Sequence, residues 1–269
     1  MSLDLGSIRR QANRFRASAR YHTLRATLAG VADLLLPRVC VACERPLAAT
    51  QRGIICGFCW TRLDAIPYPQ CARCGHPHIR HSCRWCELLP PFVRAVRSVC
   101  WVPGGAGGQI VHALKYEGWR ATADGMAERM ARLAWPVDVV EERTALVPVP
   151  LSAGRLRERG FNQSELIAHA LASRWRIPVW RDAILRARET TTQTKLRPSD
   201  RLRNVAGAFD VSHSLSKRIR GAHLVLVDDV VTTAATLNAC AETLMQAGAR
   251  IISYVTFGRA RSASDRPLS

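Results

Sequence analysis

Beyond residue 92, apolar positions along the chain follow two patterns in turn. Short continuous apolar runs bounded by turn residues predict buried strands, and apolar residues spaced three or four apart predict helices. The runs predict strands at 96–102, 145–149, 179–185, 208–211, 223–227 and 251–257. The helical spacing predicts helices at 109–116, 122–134, 162–174 and 234–247. Strands that alternate with helices favour a parallel α/β sheet with helices on its faces.

Residues 38–90 carry neither pattern and are instead rich in cysteine. The chain has ten cysteines, and most of them form C-x-x-C pairs between residues 40 and 86. Two residues between cysteines allow both thiolates to reach one tetrahedral metal ion, and two such pairs complete a Cys₄ site. The spacing therefore predicts two structural zinc ions, whose ligands are Cys40, Cys43, Cys56, Cys59, Cys71, Cys74, Cys83 and Cys86.

The pairing of these cysteines stays open at the level of sequence. Sequential pairing predicts two consecutive zinc ribbons, whereas interleaved pairing joins the first C-x-x-C with the third and the second with the fourth. A disulfide scaffold is a minor alternative, because no secretory signal precedes the cysteines. Iron–sulfur ligation is a second minor alternative. Reduced thiolates of this kind favour a cytoplasmic compartment.

Charge narrows the class of partner without locating a site. The chain carries 39 Lys+Arg against 21 Asp+Glu, a formal net charge of +18. Such an excess suits an anionic partner, either nucleic acid or a phosphorylated small molecule. Basic residues occur along the whole chain, so charge alone marks no binding surface. No apolar run reaches the roughly 18 residues needed to cross a bilayer, so no membrane-spanning helix is predicted.

The most specific stretch joins the predicted strand at 223–227 to the predicted helix at 234–247. The strand ends at Asp228 and Asp229, and a loop of small and hydroxyl residues leads into the helix. Loop amides and the positive end of a helix dipole bind phosphate, and adjacent carboxylates accept hydrogen bonds from a vicinal diol. A plain helix N-cap is the alternative, but it needs one acidic residue rather than two. The pattern predicts a site for a ligand with a phosphate and a ribose diol.

This stretch, VDDVVTTAAT at 227–236, resembles the phosphoribosyl-pyrophosphate (PRPP) motif of type I phosphoribosyltransferases. With four C-x-x-C pairs before it, the chain resembles the ComF/GntX family of competence-associated proteins. Further matching elements are LKY at 114–116, LVPVPL at 146–151 with Arg155, RGFNQ at 159–163, and a Q…R…N…F pattern at Gln193, Arg201, Asn204 and Phe209.

The resemblance covers residues 34–258 and implies an architecture for the chain. The implied fold class is α/β, a type I phosphoribosyltransferase-like parallel sheet flanked by helices and preceded by a small Cys-rich zinc-ribbon domain. The predicted segments are a basic tail with a short amphipathic helix at 1–37, a double zinc ribbon at 38–91, a phosphoribosyltransferase-like domain at 92–260 and a flexible tail at 261–269.

The resemblance also implies PRPP with Mg²⁺ as the ligand. A pyrophosphate-binding loop is implied at 148–159, and a loop that closes over the reaction centre at 186–207. The implied catalytic residues, which would stabilise the leaving pyrophosphate, are Lys195, Arg197 and Arg201. The implied PRPP-binding residues are Asp228, Asp229, Thr232, Thr233, Ala234, Ala235, Thr236, Arg155 and Arg159.

One position departs from the family pattern, because Ala234 stands where the family usually has glycine. If the backbone at this position is left-handed, alanine costs on the order of 1 kcal/mol and its methyl group approaches the phosphate. If φ is negative, the change is harmless. The backbone conformation of residue 234 therefore bears directly on phosphate binding.

Three functions are compatible with these features. The first is a phosphoribosyltransferase, a glycosyltransferase that moves the phosphoribosyl group of PRPP to an acceptor that the sequence does not name. The second follows from the resemblance, which implies a role in natural transformation, in uptake or processing of single-stranded DNA beside a helicase partner. The third is a catalytically inactive phosphoribosyltransferase fold that serves as a nucleic-acid-binding or scaffold protein.

Overall fold

The structure, a computed structural model, describes residues 37–48, 50–77, 83–187 and 207–261. Lys195, Arg197 and Arg201 lie outside the described residues, as do the basic tail, most of the implied closing loop and all but the first residue of the C-terminal tail.

The described strands are β1 Val93–Val102, β2 Arg143–Pro148, β3 Ile184–Arg186, β4 Phe209–Val211, β5 His223–Val231 and β6 Ile251–Ala260. The described helices are α1 Gly57–Thr61, α2 Arg84–Glu87, α3 Gly105–Tyr116, α4 Thr122–Ala131, α5 Val137–Glu142, α6 Ala153–Arg159, α7 Gln163–Trp175, α8 Ser216–Ile219 and α9 Ala235–Gln246, with a 3₁₀ turn at His213–Leu215.

A four-stranded sheet in the order β1-β6-β5-β2 lies at the centre of the molecule. Its three strand pairings are all parallel. Parallel sheets of this kind need helices or other cover on both faces, which explains the continuous apolar run in β5. Strands β3 and β4 form a separate antiparallel pair. The predicted parallel α/β architecture is confirmed.

Both faces of the sheet are buried, each under a different set of elements. Successive residues of a strand point to opposite faces. Leu224 and Leu226 accordingly pack with α9 and the β3–β4 pair, whereas Val225 and Val227 pack with α3, α4 and α7. The sheet therefore carries two hydrophobic cores, one on each side.

The two cysteine segments are part of these cores. We call the described residues of 37–66 the first ribbon and those of 70–89 the second ribbon. The first ribbon packs with α3, α4 and α7, and its Trp60 ring meets the Phe257 ring edge-on at 6.3 Å between centroids. The second ribbon packs on the opposite face, where Asn238 of α9 donates from Nδ2 to the Leu88 carbonyl over 2.7 Å. Each ribbon thus covers one side of the sheet.

The glycine-rich stretch at 104–108 lies between the strand predicted at 96–102 and the helix predicted at 109–116. The structure continues the helix through it, so that α3 begins at Gly105 rather than at residue 109. The reason is close packing, because a Cβ added at Gly107 would lie 2.8 Å from the Cys100 Sγ atom of β1. Here glycine allows a helix to approach a strand closely. Glycine content alone does not distinguish such a closely packed helix from a loop.

The bounds of the strands also differ from the predictions, most of all in β5 and β3. Strand β5 runs to Val231, four residues beyond its predicted end, because Asp228 and Val230 continue the pairing with β6. The two aspartates therefore lie within the strand rather than after it. The strand predicted at 179–185 is reduced to β3, and Val179 forms an isolated bridge with Leu146 instead.

Candidate functional site

A cleft of about 550 Å³ opens at the carboxyl ends of the parallel strands. Its walls come from the ends of β1, β5 and β6, from the segment after β2 with α6, and from the last turns of α3. Ligands of α/β proteins bind at this edge of the sheet. All nine residues predicted to bind PRPP line the cleft: Asp228, Asp229, Thr232, Thr233, Ala234, Ala235, Thr236, Arg155 and Arg159.

The two carboxylates of β5 have different partners. Asp229 is buried, and its Oδ1 accepts a hydrogen bond from Gln163 Nε2 over 3.1 Å, while its Oδ2 is ion-paired with the ammonium of Lys115. Asp228 accepts a hydrogen bond from Ser164 Oγ over 2.8 Å. Gln163 and Ser164 belong to the first turn of α7, so this helix positions both carboxylates.

These partners separate the pKa values of the pair. Burial and the neighbouring Asp229 charge raise the pKa of Asp228 to about 7. Burial also opposes ionisation of Asp229, but the Lys115 charge and the hydrogen bonds from Lys115 and Gln163 outweigh it and keep the pKa of Asp229 below its usual value. The surroundings therefore favour ionisation of Asp229 and oppose ionisation of Asp228.

Arginines on α6 line the same cleft as the two aspartates. The implied pyrophosphate loop is partly helical, because Ser152 caps α6 by accepting from the Arg155 amide, and Gly160 ends the helix in a left-handed conformation. Arg159 Nη1 donates to Gln163 Oε1 over 2.5 Å, which links the arginine to the same glutamine that holds Asp229. The helix presents Arg155 and Arg159 to the cleft.

The loop after β5 leads directly into α9, as the phosphate-binding pattern requires. Thr232, Thr233 and Thr236 line the cleft together with the first residues of the helix. Ala234 precedes α9 with φ 60° and ψ 5°, a left-handed conformation. This is the costly case for a residue other than glycine, so the departure from the family pattern stores strain at this loop.

Replacing this alanine is expected to relieve the strain. We expect Ala234→Gly to raise the free energy of unfolding by up to about 1 kcal/mol, because relief of the left-handed strain outweighs the added entropy of the unfolded chain. The control Ala235→Gly, one position later in the first turn of α9, should lower it by roughly 0.5–1 kcal/mol. Urea denaturation of the zinc-loaded protein measures both, and an equal loss in the two variants would contradict the strain.

The cleft also contains residues outside the predicted set, among them Lys115, Tyr116 and Arg186. Lys115 and Tyr116 lie at the end of α3, within the LKY element, which carries no role in the sequence interpretation. Arg186 lies at the end of β3, and burial lowers its pKa. The sequence signal for Arg186 as a cleft residue is its position beside the polar stretch 188–206. A single arginine at the end of an apolar strand gives no other indication of a binding role.

The structure places the eight paired cysteines in two groups. Cys40, Cys43, Cys56 and Cys59 form one group, and Cys71, Cys74, Cys83 and Cys86 form the other, so the pairing is sequential. Within the groups, the sulfur–sulfur distances are 3.8 Å and 3.6 Å in the first and 3.5 Å and 3.3 Å in the second. Four thiolates around a tetrahedral zinc ion are about 3.8 Å apart, from a Zn–S bond of roughly 2.3 Å. Both groups are consistent with structural zinc, and all ten cysteines are free of disulfides.

In the described part of the chain, no helix is long and apolar enough to pass through a membrane.

Two protein-family models match parts of the chain. Residues 31–89 match the double zinc ribbon domain, and residues 163–267 match the phosphoribosyl transferase domain.

Curated relatives match over most of the chain. The DNA utilization protein YhgH of Escherichia coli strain K12 is 34% identical over 230 residues, which cover 81% of this chain and 96% of that protein. Competence protein F of Haemophilus influenzae is 27% identical, over 82% of this chain and 96% of its own length. Competence protein ComFC of Bacillus subtilis is 28% identical, over 78% and 90%. The chain, with its two cysteine groups followed by the parallel sheet and its cleft, therefore belongs to the ComF/GntX family.

Proposed function

We propose that the chain binds PRPP together with Mg²⁺ in the cleft at the carboxyl ends of the strands. The observation that carries the proposal is the meeting of three kinds of group in one cleft. A hydroxyl-rich loop leads into α9, two aspartates lie beside it, and Arg155 and Arg159 lie on α6. These groups correspond to the three parts of PRPP, its 5-phosphate, its ribose diol and its pyrophosphate.

Each part of the ligand has a physical reason for its place. The positive end of α9 and the loop amides favour the 5-phosphate. Asp228 and Asp229 accept hydrogen bonds from the ribose hydroxyls. The guanidinium groups of Arg155 and Arg159 form paired hydrogen bonds with phosphate oxygens. Mg²⁺ prefers oxygen ligands from substrate phosphates and a few carboxylates, and Asp228 is the more exposed of the two carboxylates in the cleft.

Phosphoribosyl transfer from such a complex would break the bond between ribose C1 and the pyrophosphate oxygen, whose electron pair leaves with pyrophosphate, and would form a bond from C1 to a nucleophilic atom of the acceptor, which supplies the new electron pair. Positive charge would then develop on the ribose ring while negative charge develops on the leaving pyrophosphate. The Asp228–Asp229 pair and the α6 arginines are placed to stabilise these two charges, which is electrostatic catalysis. A protein that binds PRPP without releasing pyrophosphate would be the inactive relative of such an enzyme.

Thermal unfolding in the presence of PRPP and Mg²⁺ tests the proposal. At a concentration 100 times the dissociation constant, the ligand should stabilise the protein by about 2.7 kcal/mol. Asp228→Asn and Arg155→Gln should each reduce the shift strongly, because each removes a group that binds the ligand. Asp182→Asn, at a side chain 64% exposed away from the cleft, should keep the full shift. If the ligand does not raise the unfolding temperature of the wild type, or if both cleft variants keep the full shift, the proposal is overturned. If the proposal holds, a pyrophosphate-release assay separates an enzyme from a protein that only binds PRPP.

A second function, binding of single-stranded nucleic acid, is favoured by one surface of the first ribbon. Phe58 lies between two metal-binding cysteines and is 42% exposed. The guanidinium of Arg45 lies 4.2 Å from the centre of the Phe58 ring, and that of Arg62 lies 5.0 Å from it. An exposed aromatic ring flanked by arginines offers a base a stacking surface and offers the backbone phosphates two charges. Relatives named for competence and DNA utilization support this proposal.

The salt dependence of binding tests the role of this surface. We expect the affinity for a labelled single-stranded oligonucleotide to fall as the salt concentration rises. The double variant Arg45→Gln with Arg62→Gln should reduce the slope of log affinity against log salt concentration by about 1.4, because each phosphate that an arginine neutralises adds roughly 0.7 to this slope. The matched double variant Arg132→Gln with Arg181→Gln removes two arginines that are 72% and 62% exposed elsewhere, and it should keep the slope. Equal slopes in the two double variants, measured by fluorescence anisotropy, would place the nucleic-acid surface elsewhere.

A further inference from the structure

Two segments that line the cleft continue directly into side chains that contact the second ribbon. The first segment is the start of α9, where Ala234 lines the cleft and Asn238 follows one helical turn later. The second segment is the end of β6, where Ala260 lines the cleft and Arg259 precedes it. Asn238 and Arg259 themselves lie outside the cleft lining. Any effect of these two side chains on a ligand in the cleft is therefore indirect.

Asn238 joins α9 to the second ribbon and to the sheet through both ends of its side-chain amide. Its Nδ2 donates to the Leu88 carbonyl over 2.7 Å, and its Oδ1 accepts from the Tyr254 hydroxyl over 3.0 Å. Its backbone amide donates to the Ala234 carbonyl over 2.8 Å, at the start of the helix. Asn238 is buried, and a buried amide is costly to leave without its partners. The ribbon therefore helps to hold the first turn of α9 in position.

Arg259 makes the corresponding contact from the sheet. It is 2% exposed, and its Nη2 donates over 2.5 Å to the carbonyl of Cys74, one of the predicted zinc ligands. Its guanidinium also lies 5.5 Å from the centre of the Trp85 ring in the same ribbon. Across the sheet, Arg259 pairs with Val231 of β5, which lines the cleft. This side chain therefore connects a cysteine loop of the ribbon to the strand ends that form the cleft.

The acceptors that the ribbon offers to these side chains depend on its metal ion. Cys74 belongs to the second cysteine group, and Leu88 follows Cys86 of that group by two residues. Small zinc domains keep their fold only with the metal bound, so both carbonyls would lose their fixed positions without it. Asn238 and Arg259 would then lose these acceptors, and the two segments that line the cleft would lose a support on their buried side.

We propose that the second ribbon regulates the cleft, so that its metal ion and a ligand in the cleft strengthen each other's binding. Asn238 and Arg259 are the positioning residues that transmit the effect between the two sites. The inference rests on the proposed function, which supplies PRPP with Mg²⁺ as the ligand. Coupling between two sites is reciprocal, so each partner should raise the affinity of the other by the same factor.

The first test compares the PRPP affinities of variants that hold two zinc ions, by calorimetry with Mg²⁺ present. Asn238→Ala should weaken PRPP binding by at least about 5-fold, the lower end of typical coupling between sites. Arg259→Lys keeps the charge but loses the planar donor geometry, and it should weaken binding in the same direction. Thr243→Val is the matched control, because the Thr243 hydroxyl donates to the Ala239 carbonyl within the same helix. This variant should bind PRPP as the wild type does.

The second test measures the reverse effect, at 25 °C without denaturant so that the sheet stays folded. A zinc-selective chelator removes the metal with and without saturating PRPP and Mg²⁺, and the released cysteines are alkylated and identified by mass spectrometry. In the wild type, PRPP should raise the chelator concentration that empties the second ribbon by at least about 5-fold, and that of the first ribbon by less. Asn238→Ala should lose this protection, and Thr243→Val should keep it.

The outcomes separate the inference from the proposed function. If PRPP binds the wild type but protects the two ribbons equally, the coupling is wrong and the proposed function stands. The same conclusion follows if Asn238→Ala and Thr243→Val bind PRPP equally well. If PRPP does not bind the wild type, both are wrong. If Asn238→Ala does not fold with two zinc ions, the comparison of the two ribbons in the wild type decides alone.

Discussion

Cys59→Ser is expected to unfold the first ribbon and to destabilise the whole protein. Structural zinc contributes about 10–16 kcal/mol in small zinc domains, which is comparable to the total stability of an average protein, about 5–15 kcal/mol. Cys59 is buried and belongs to the same hydrophobic core as α3, α4 and α7. Loss of the metal would release α1 and with it Trp60, which packs against Phe257.

Zinc content and thermal unfolding together measure this effect. The variant should hold one zinc ion instead of two and should unfold at a clearly lower temperature. Cys240→Ser is the matched control, because Cys240 is a buried thiol outside both groups, and this variant should retain two ions with a smaller loss. If Cys59→Ser kept both ions, or lost no more stability than Cys240→Ser, the first group would not be a structural metal site.

Lys115→Met is expected to cost about 3–5 kcal/mol, because it leaves a buried charge without its partner. The Asp229 side chain is 3% exposed, and that of Lys115 is 20% exposed. Without the ammonium, burial would raise the pKa of Asp229. The native state of the variant would then retain a proton that the unfolded state releases near pH 4, so its stability should decrease further as the pH rises through neutrality.

A double-mutant cycle isolates the contribution of this pair. Lys115→Met combined with Asp229→Asn should recover much of the lost free energy of unfolding, because the second substitution removes the uncompensated charge. Lys217→Met, at an exposed lysine on α8, should change little. Chemical denaturation at pH 6 and pH 8 provides the values. Additive losses in the double variant would show that the two side chains do not depend on each other.

Much of the sheet and of the segment that joins β5 to α9 could be predicted from local sequence. The order of strands and helices follows from spacing that is visible within ten residues, as in the apolar run that precedes Asp228. The segment that joins β5 to α9 is also visible in local sequence, because strand, loop and helix follow each other without interruption. The sequence leaves two possible backbone conformations for residue 234, with positive or negative φ, and the structure has the left-handed one.

Contacts between distant segments could not be predicted in this way. Lys115 and Asp229 are far apart in sequence, and nothing near either residue shows that the end of α3 meets the end of β5. The start of α3 was missed for a related reason, because Gly107 is required by Cys100 across the packing interface rather than by its own backbone. Local patterns predict elements, whereas these features depend on which elements become neighbours.

The pairing of the cysteines illustrates the same limit. Spacing allowed sequential and interleaved groups, and tertiary packing decides between them. The first two C-x-x-C pairs lie on one face of the sheet and the last two on the other. A metal ion shared between the first and third pairs would have to join opposite sides of the sheet. Sequential pairing is therefore a consequence of where the ribbons pack.

The placement of one ribbon on each face also determines how the protein divides into folding units. Cutting the chain before β1 would remove the cover from both hydrophobic cores at once, exposing apolar residues such as Phe257 on one side and breaking the bond from Asn238 to Leu88 on the other. The sheet and its metal sites are thus expected to unfold as a single cooperative unit. The separate functions of the ribbons and the cleft are therefore expected to be distinguishable by point substitutions in the intact chain and not by truncation.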